Sequence, residues 1–253
     1  MNQQIIMPLL LTSIAGLSTT IGSIIGLAFK RENPKFMSSV LGFTAGVMIG
    51  ISFFELLPSG IKELGLARAS AAFIAGFILI FLIDTLIPHE YIGQKEKIDD
   101  KTNARLLRTG LFIALGIAIH NFPEGMAVFY SSMVDTKIGI PIAIAITIHN
   151  IPEGIAVSMP VYAATGSKRK AFMWSFLSGI VEPIGALITA LIFLPFLNPQ
   201  ILGYLLSGIA GLMVFISIDE LLPVSKSYGY IHLPIVSFIA GMIVIILSLV
   251  LLS

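Results

Sequence analysis

The stretch TGLFIALGIAIHNFPEGMAVFYSSM, residues 109–133, decides the fold. It is long enough to cross a bilayer, which takes roughly 20 apolar residues, yet it carries His120, Asn121 and Glu124 near its centre. The next apolar stretch, IGIPIAIAITIHNIPEGIAVSMPVYA at 138–163, repeats the pattern with His149, Asn150 and Glu153. Ionisable groups within a membrane span are costly and mark function. A His and a Glu four residues apart share one face of a helix. Two such faces, on consecutive and therefore antiparallel helices, can close on one divalent cation. The residues point to metal held inside the bilayer, as a metal transporter requires.

The rest of the chain has the same character. Of its 253 residues 56% are apolar and 11% charged, where a soluble domain carries about a quarter charged. Eight candidate spans lie at approximately 5–29, 36–58, 69–89, 109–133, 138–163, 171–194, 200–223 and 231–252. This is an all-α integral membrane protein, one transmembrane transporter domain over residues 1–253. The longest polar segment is 90–108. There is no Cys, which excludes thiolate ligands and disulfides. A net charge of +1 gives no nucleic-acid surface.

Basic residues set the orientation. The connections after spans 1, 3, 5 and 7 hold Lys30, Arg31 and Lys35, then Lys95, Lys97, Lys101, Arg105 and Arg108, then Lys168, Arg169 and Lys170, and finally Lys226; these are 12 of the 15 Lys and Arg residues. The other side has only Lys62, Arg68 and Lys137. By the positive-inside rule the 12-residue side is cytoplasmic. The expected location is the inner (plasma) membrane, multi-pass, with both termini outside.

An internal repeat accompanies the signatures. AGVMIGISFFELLP at 45–58 and AGLMVFISIDELLP at 210–223 are identical at nine of fourteen positions, at an offset of 165. The same offset aligns Phe73–Gly76 with Phe238–Gly241, and an offset of 163 aligns Gly16 and Gly22 with Gly179 and Gly185. Spans 1–3 thus resemble spans 6–8, five spans apart, so the copies cross in opposite directions. The expectation is a 3+2+3 inverted repeat around spans 4 and 5, the arrangement of secondary transporters with substrate near the midplane. Alternating access would then move the 1–3 and 6–8 repeats around spans 4 and 5.

Within the signatures, Pro123 and Pro152 cannot bond the carbonyls of Ile119 and Ile148, so those faces should turn to protein, water or ion. Gly125 and Gly154 permit close helix approach. Imidazole with carboxylate suits zinc; amide oxygen with carboxylates suits harder ions such as iron(II) or manganese(II). A single buried His-Asn pair has a structural alternative, an interhelical hydrogen bond; the duplicated set with two carboxylates favours a cation. Glu182, directly before Pro183 in the sixth span, is a third intramembrane carboxylate, and its repeat partner is Thr19. Met48 and Met213 are repeat partners that either pack or touch a soft ion. Glu55 and Glu220 read equally as ion access points or as carboxylates reaching interfacial water. Asp84, His89, Glu90 and His232 lie at span boundaries and carry no assignment, and Lys168-Arg169-Lys170 reads as a topology signal.

At these residues the chain resembles the ZIP family of divalent-metal transporters, most closely its bacterial zinc-uptake members. The resemblance covers essentially the whole chain, including HNFPEG, HNIPEG, Ala45–Pro58, Val161–Arg169 and Glu182. It implies eight spans, outside termini and a two-metal site between spans 4, 5 and 6. Glu124, His149 and Glu153 would bind zinc with His120 nearby. Asn121, Glu124, Asn150, Glu153 and Glu182 would form the adjacent position, associated with iron(II). The 90–108 segment departs from the His-rich loop of many relatives.

The leading function is uptake of zinc into the cytoplasm, with iron(II), manganese(II), cobalt(II) or cadmium(II) as further substrates. The ions are cargo; no prosthetic group and no enzymatic activity are expected. Divalent metal ions and membrane lipid are the expected partners, with a homodimer left open. Two alternatives are an intramembrane metal-dependent hydrolase, against which stands the lack of His-Glu-x-x-His, and a passive divalent-cation channel. The orientation is testable because the chain lacks Cys. Lys168→Cys should react with an impermeant thiol reagent only from the cytoplasmic side, and Lys137→Cys only from outside; labelling of both from one side would refute eight spans.

Overall fold

A computed structural model describes residues 3–29, 33–85, 100–196 and 198–252. Of the residues named above, Lys30, Arg31, His89, Glu90, Lys95 and Lys97 lie outside them. Among the described residues the chain forms eight long helices and no strand. They are α1 (Gln3–Leu27), α2 (Pro34–Leu64), α3 (Leu66–Thr85), α4 (Asp100–Val134), α5 (Thr136–Thr165), α6 (Lys168–Phe193), α7 (Pro199–Ser227) and α8 (Leu233–Leu252). Among the described residues, stretches within α1, α2, α3, α5, α6, α7 and α8 are long and apolar enough to cross a membrane. α4 has 35 residues and begins at Asp100, inside the segment expected to be a polar connection. Its helix extends past the apolar run into polar turns, which need not be in lipid. α2 likewise continues past Pro58, where the sequence reading ends the span.

The helix starts follow from local chemistry. Asn33 Oδ1 accepts the Phe36 N–H at 2.9 Å and Asn198 Oδ1 accepts the Ile201 N–H at 3.0 Å, each followed by a Pro that suits a first turn. These two caps are themselves 165 apart. Asp135 caps α5 and Ser167 caps α6 in the same way, and Gly166 ends α5 at φ 66°, a conformation open to glycine.

α2 and α7 each contain a π-helical turn at equivalent positions, Ser52–Leu56 and Ile216–Leu221. Pro58 and Pro223 follow them, and a residue without an N–H disrupts the ordinary bonding register. Ser52 Oγ donates to the Met48 carbonyl at 2.7 Å, and Ser217 Oγ to the Met213 carbonyl at 2.8 Å. The buried stripe then runs at a spacing of four, through Met48, Ser52, Leu56, Gly60 and Leu64 in α2 and through Met213, Ser217, Leu221 and Ser225 in α7.

Packing divides the helices into two groups. α1, α4, α5 and α6 pack on one another; α2 packs on α8 and α7, and α3 on α7. The groups meet where α2 and α8 touch α5 and where α7 touches α4. α1 and α6 lie together with α4 and α5, so each repeat gives one helix to this group and two to the other. An apolar cleft lined by Phe36, Val40, Phe43, Ile151, Ile155 and Ala240 opens along the seam.

Both sequence offsets recur in the backbone contacts made by glycines. A Cβ at Gly46 would meet the Phe238 carbonyl, and one at Gly211 the Phe73 carbonyl. Gly76 faces the Gly208 carbonyl and Gly241 that of Phe43. In the other group Gly22 faces the Ile151 carbonyl and Gly185 that of Phe122, while Gly154 faces the Thr19 carbonyl and Gly125 that of Glu182. Each contact exchanges partners with its repeat mate. Without a hydrophobic drive between helices in lipid, such backbone approach is what brings them together. Gly46→Val and Gly211→Val should therefore each lower the thermal midpoint of the purified protein, at a cost of about 1–3 kcal/mol from overpacking. Gly208→Ala should be close to neutral, since its Cβ would find its nearest atom at 3.8 Å.

Candidate metal centre

α4, α5 and α6 bring all seven sequence-predicted residues into the interior of the first group. His120, Asn121, Glu124, His149, Asn150, Glu153 and Glu182 are each at most 1% exposed. Pro123 and Pro152 lie inside continuous helices, so the signature residues keep helical spacing.

The His and Glu side chains of the two signatures cross over. His120 Nε2 lies 3.2 Å from Glu153 Oε1, and His149 Nε2 lies 3.5 Å from Glu124 Oε1 and 4.0 Å from Glu153 Oε1. Glu153 Oε1 thus faces both imidazoles. His149 Nδ1 lies 3.3 Å from the Ala145 carbonyl, one turn back, which suits an N–H at Nδ1 and leaves Nε2 as a ligand atom.

The amides are held by main chain. Asn121 Nδ2 donates to the Ser178 carbonyl at 3.0 Å, and Asn150 Nδ2 to the Ala15 carbonyl at 2.9 Å. Ala15 and Ser178 are 163 apart, so these bonds also exchange under the repeat. Asn150 Nδ2 additionally reaches Glu182 Oε2 at 2.7 Å. Anchoring both Nδ2 atoms turns each Oδ1 away from the backbone.

What remains is a set of buried ligand atoms with no hydrogen bond. It comprises His120 Nδ1, Asn121 Oδ1, both oxygens of Glu124, His149 Nε2, Asn150 Oδ1, Glu153 Oε2 and Glu182 Oε1. Buried acceptors are normally satisfied, and unsatisfied carboxylate oxygens are among the most costly groups to bury. Six oxygens from five residues and two imidazole nitrogens lie in the interior of one helix group, and carboxylate, amide and imidazole atoms are the types of ligand that divalent cations take from proteins.

The other singled-out residues fall elsewhere. Met48 and Met213 lie in the apolar core, and Glu55 is partly exposed on its π turn. Glu220 groups with Asp84 of α3 and Asp219, their carboxylate oxygens within 4.8 Å of one another. A narrow cavity lined by Ile80, Asp84, Gly116, Ile119, Ile216 and Glu220 runs beside the group to the residue before His120. Sequence reasoning missed Asp84 and Asp219. The available signal was Asp219 in place of Phe54, the one acidic departure within the 45–58 repeat.

Known proteins resemble this chain over almost its whole length. A family model described as ZIP zinc transporter matches residues 87–249. The chain is 51% identical to the zinc transporter ZupT of Chlorobium phaeovibrioides, over 97% of both chains. It is 48% identical to that of Streptococcus mutans over 99% of both, and 46% identical to that of Campylobacter jejuni over 99% of this chain and 98% of the relative. A chain built of membrane-spanning helices, with paired His-Asn-x-Pro-Glu-Gly signatures facing each other in its interior, belongs to the ZIP family of zinc transporters.

Proposed function

We propose that this protein takes up zinc into the cytoplasm as a secondary transporter, binding it at an intramembrane two-metal site. The supporting observation is the buried set of ligand atoms without hydrogen bonds on α4, α5 and α6. Glu124, His149 and Glu153 hold zinc, with His120 beside Glu153. Asn121, Asn150 and Glu182 extend the set into a neighbouring position richer in oxygen, shared with Glu124 and Glu153. That position accepts harder ions such as iron(II) or manganese(II). The protein lies in the inner membrane with both termini outside and spans 1–3 and 6–8 as inverted repeats. The exchange of glycine contacts under the two offsets supports the inversion.

The packing suggests how the ion crosses. Every proposed ligand sits on α4, α5 or α6, in one group of helices, and none on the other. The group α1, α4, α5 and α6 therefore carries the ion and shifts against α2, α3, α7 and α8 along their apolar seam, replacing the sequence-based movement of one repeat against the other. In the proposed orientation the ends of α3 and α7 face the cytoplasm, so the Asp84, Asp219 and Glu220 group receives the ion on release.

Radiometal uptake into vesicles of reconstituted protein tests the assignment. Glu124→Ala and Glu153→Ala should each abolish uptake, because each supplies an oxygen to both positions. Glu182→Ala should be milder and should shift ion preference. His149→Ala should weaken zinc more than manganese(II), since imidazole suits the softer ion. Near-normal zinc uptake by either Glu124→Ala or Glu153→Ala would overturn the two-metal assignment.

A further inference from the structure

α1 and α6 cross where Gly16 and Gly179 touch. A Cβ on Gly16 would meet the Gly179 carbonyl at 2.7 Å and the Glu182 Cβ at 3.0 Å. A Cβ on Gly179 would meet the Gly16 carbonyl at 2.6 Å, the Thr19 Cβ at 2.9 Å and the Thr19 Oγ1 at 3.3 Å. Thr19 thus occupies on one side of the crossing the place that Glu182 occupies on the other. The neighbouring amides follow the same exchange: Asn150 bonds the Ala15 carbonyl beside Glu182, and Asn121 bonds the Ser178 carbonyl, adjoining Gly179 and so on Thr19's side.

The Thr19 hydroxyl is anomalous. Thr12, Thr44, Thr147 and Thr165 each donate to the carbonyl four residues back, the usual resting place of a helical threonine. Thr19 does not. It is fully buried and its Oγ1 has no hydrogen-bond partner. Its own carbonyl acceptor four residues back is that of Ala15, already taken by Asn150 Nδ2 at 2.9 Å and by Ser18 Oγ at 2.6 Å. The crowded acceptor leaves the hydroxyl without its local bond, and burial in an apolar helix bundle gives it reason to find another. Thr20 and Ser23 also carry unbonded hydroxyls, but their repeat mates are Pro183 and Ala186, which have no ligand atom.

We propose that Thr19 is a specificity-determining residue of the oxygen-rich position, the uncharged counterpart of Glu182. Its hydroxyl sits two bonds closer to the backbone than a glutamate carboxylate, so it reaches the ion through one bridging water, a contact nearly as favourable as a direct bond. The position then has one carboxylate at the α1–α6 crossing instead of two, and the ion keeps a water on the α1 side. A partly hydrated ion with oxygen ligands favours manganese(II) or iron(II) over zinc. The proposal rests on the two-position assignment given above.

The test compares zinc and manganese(II) uptake by the full chain in vesicles for the parent, Thr19→Val, Thr19→Ala, Thr19→Ser and Glu182→Gln, with manganese(II) titration of each purified protein. Thr19→Val keeps the shape and removes the hydroxyl; it should lower the manganese-to-zinc uptake ratio roughly threefold to tenfold, the worth of one hydrogen bond. The manganese(II) Kd should rise by a similar factor. Thr19→Ser should restore both, which a packing role for the methyl group would not explain. Thr19→Ala reads the same loss if Thr19→Val fails to insert. If Glu182→Gln shifts the ratio while Thr19→Val and Thr19→Ala leave it at the parent value, the Thr19 proposal is wrong and the two-position assignment stands. If none of these variants moves the ratio, the oxygen-rich position itself is wrong.

Discussion

The first helix group is organised around one electrostatic constraint: Glu124, Glu153 and Glu182 are all buried inside it. Uncompensated charge in such a place is the most costly feature a membrane protein can carry. The His120 imidazole, 3.2 Å from Glu153 Oε1, offsets part of it. Both oxygens of Glu124, Glu153 Oε2 and Glu182 Oε1 have no hydrogen bond. A divalent cation bound as proposed would remove that cost on arrival and restore it on departure. The binding energy of the ion is therefore set against the desolvation of its ligands, and the bound ion need not be held too tightly to leave.

The glycines make this interior possible. Asn121 and Asn150 reach main-chain carbonyls on α6 and α1 because Gly125 and Gly154 let the backbones approach. A side chain at either glycine would push the helices apart and strand both amides. The polar centre and the small-residue seams are one design: the seams supply close approach, and close approach supplies carbonyls that orient the amide oxygens.

Much of this was legible in the sequence. The signatures could be read because His and Glu are rare in apolar runs and because helical spacing fixes which of them share a face. Residues 45–58 and 210–223 could be read because the repeat kept its polar and small residues. Other features were not legible for physical reasons. Which helices pack together depends on backbone approach between distant segments, so α1 joining α6 was not visible in a grouping by sequence order. Asp84 sits at a span boundary, where a carboxylate is unremarkable until folding brings it to Asp219 and Glu220. Thr19 is an ordinary membrane residue until Ala15 is seen to have two other donors. The charged start of α4 was hidden because hydropathy marks the lipid-soluble part of a helix and not its end.

The π turns of α2 and α7 bear on how these helices lie against their neighbours. An α-helix repeats every 3.6 residues, so a buried stripe at a spacing of four drifts around the cylinder by about 40° at each step. Helices that hold such a stripe against a partner must coil around it, in the right-handed sense for periods longer than 3.6. Each π turn takes up part of that drift in one place, between Ser52 and Leu56 or between Ser217 and Leu221. The helix then needs less winding to present one continuous edge. Under the proposed shift of one helix group against the other, less tightly wound edges would slide past a neighbour where fully wound ones would have to unscrew.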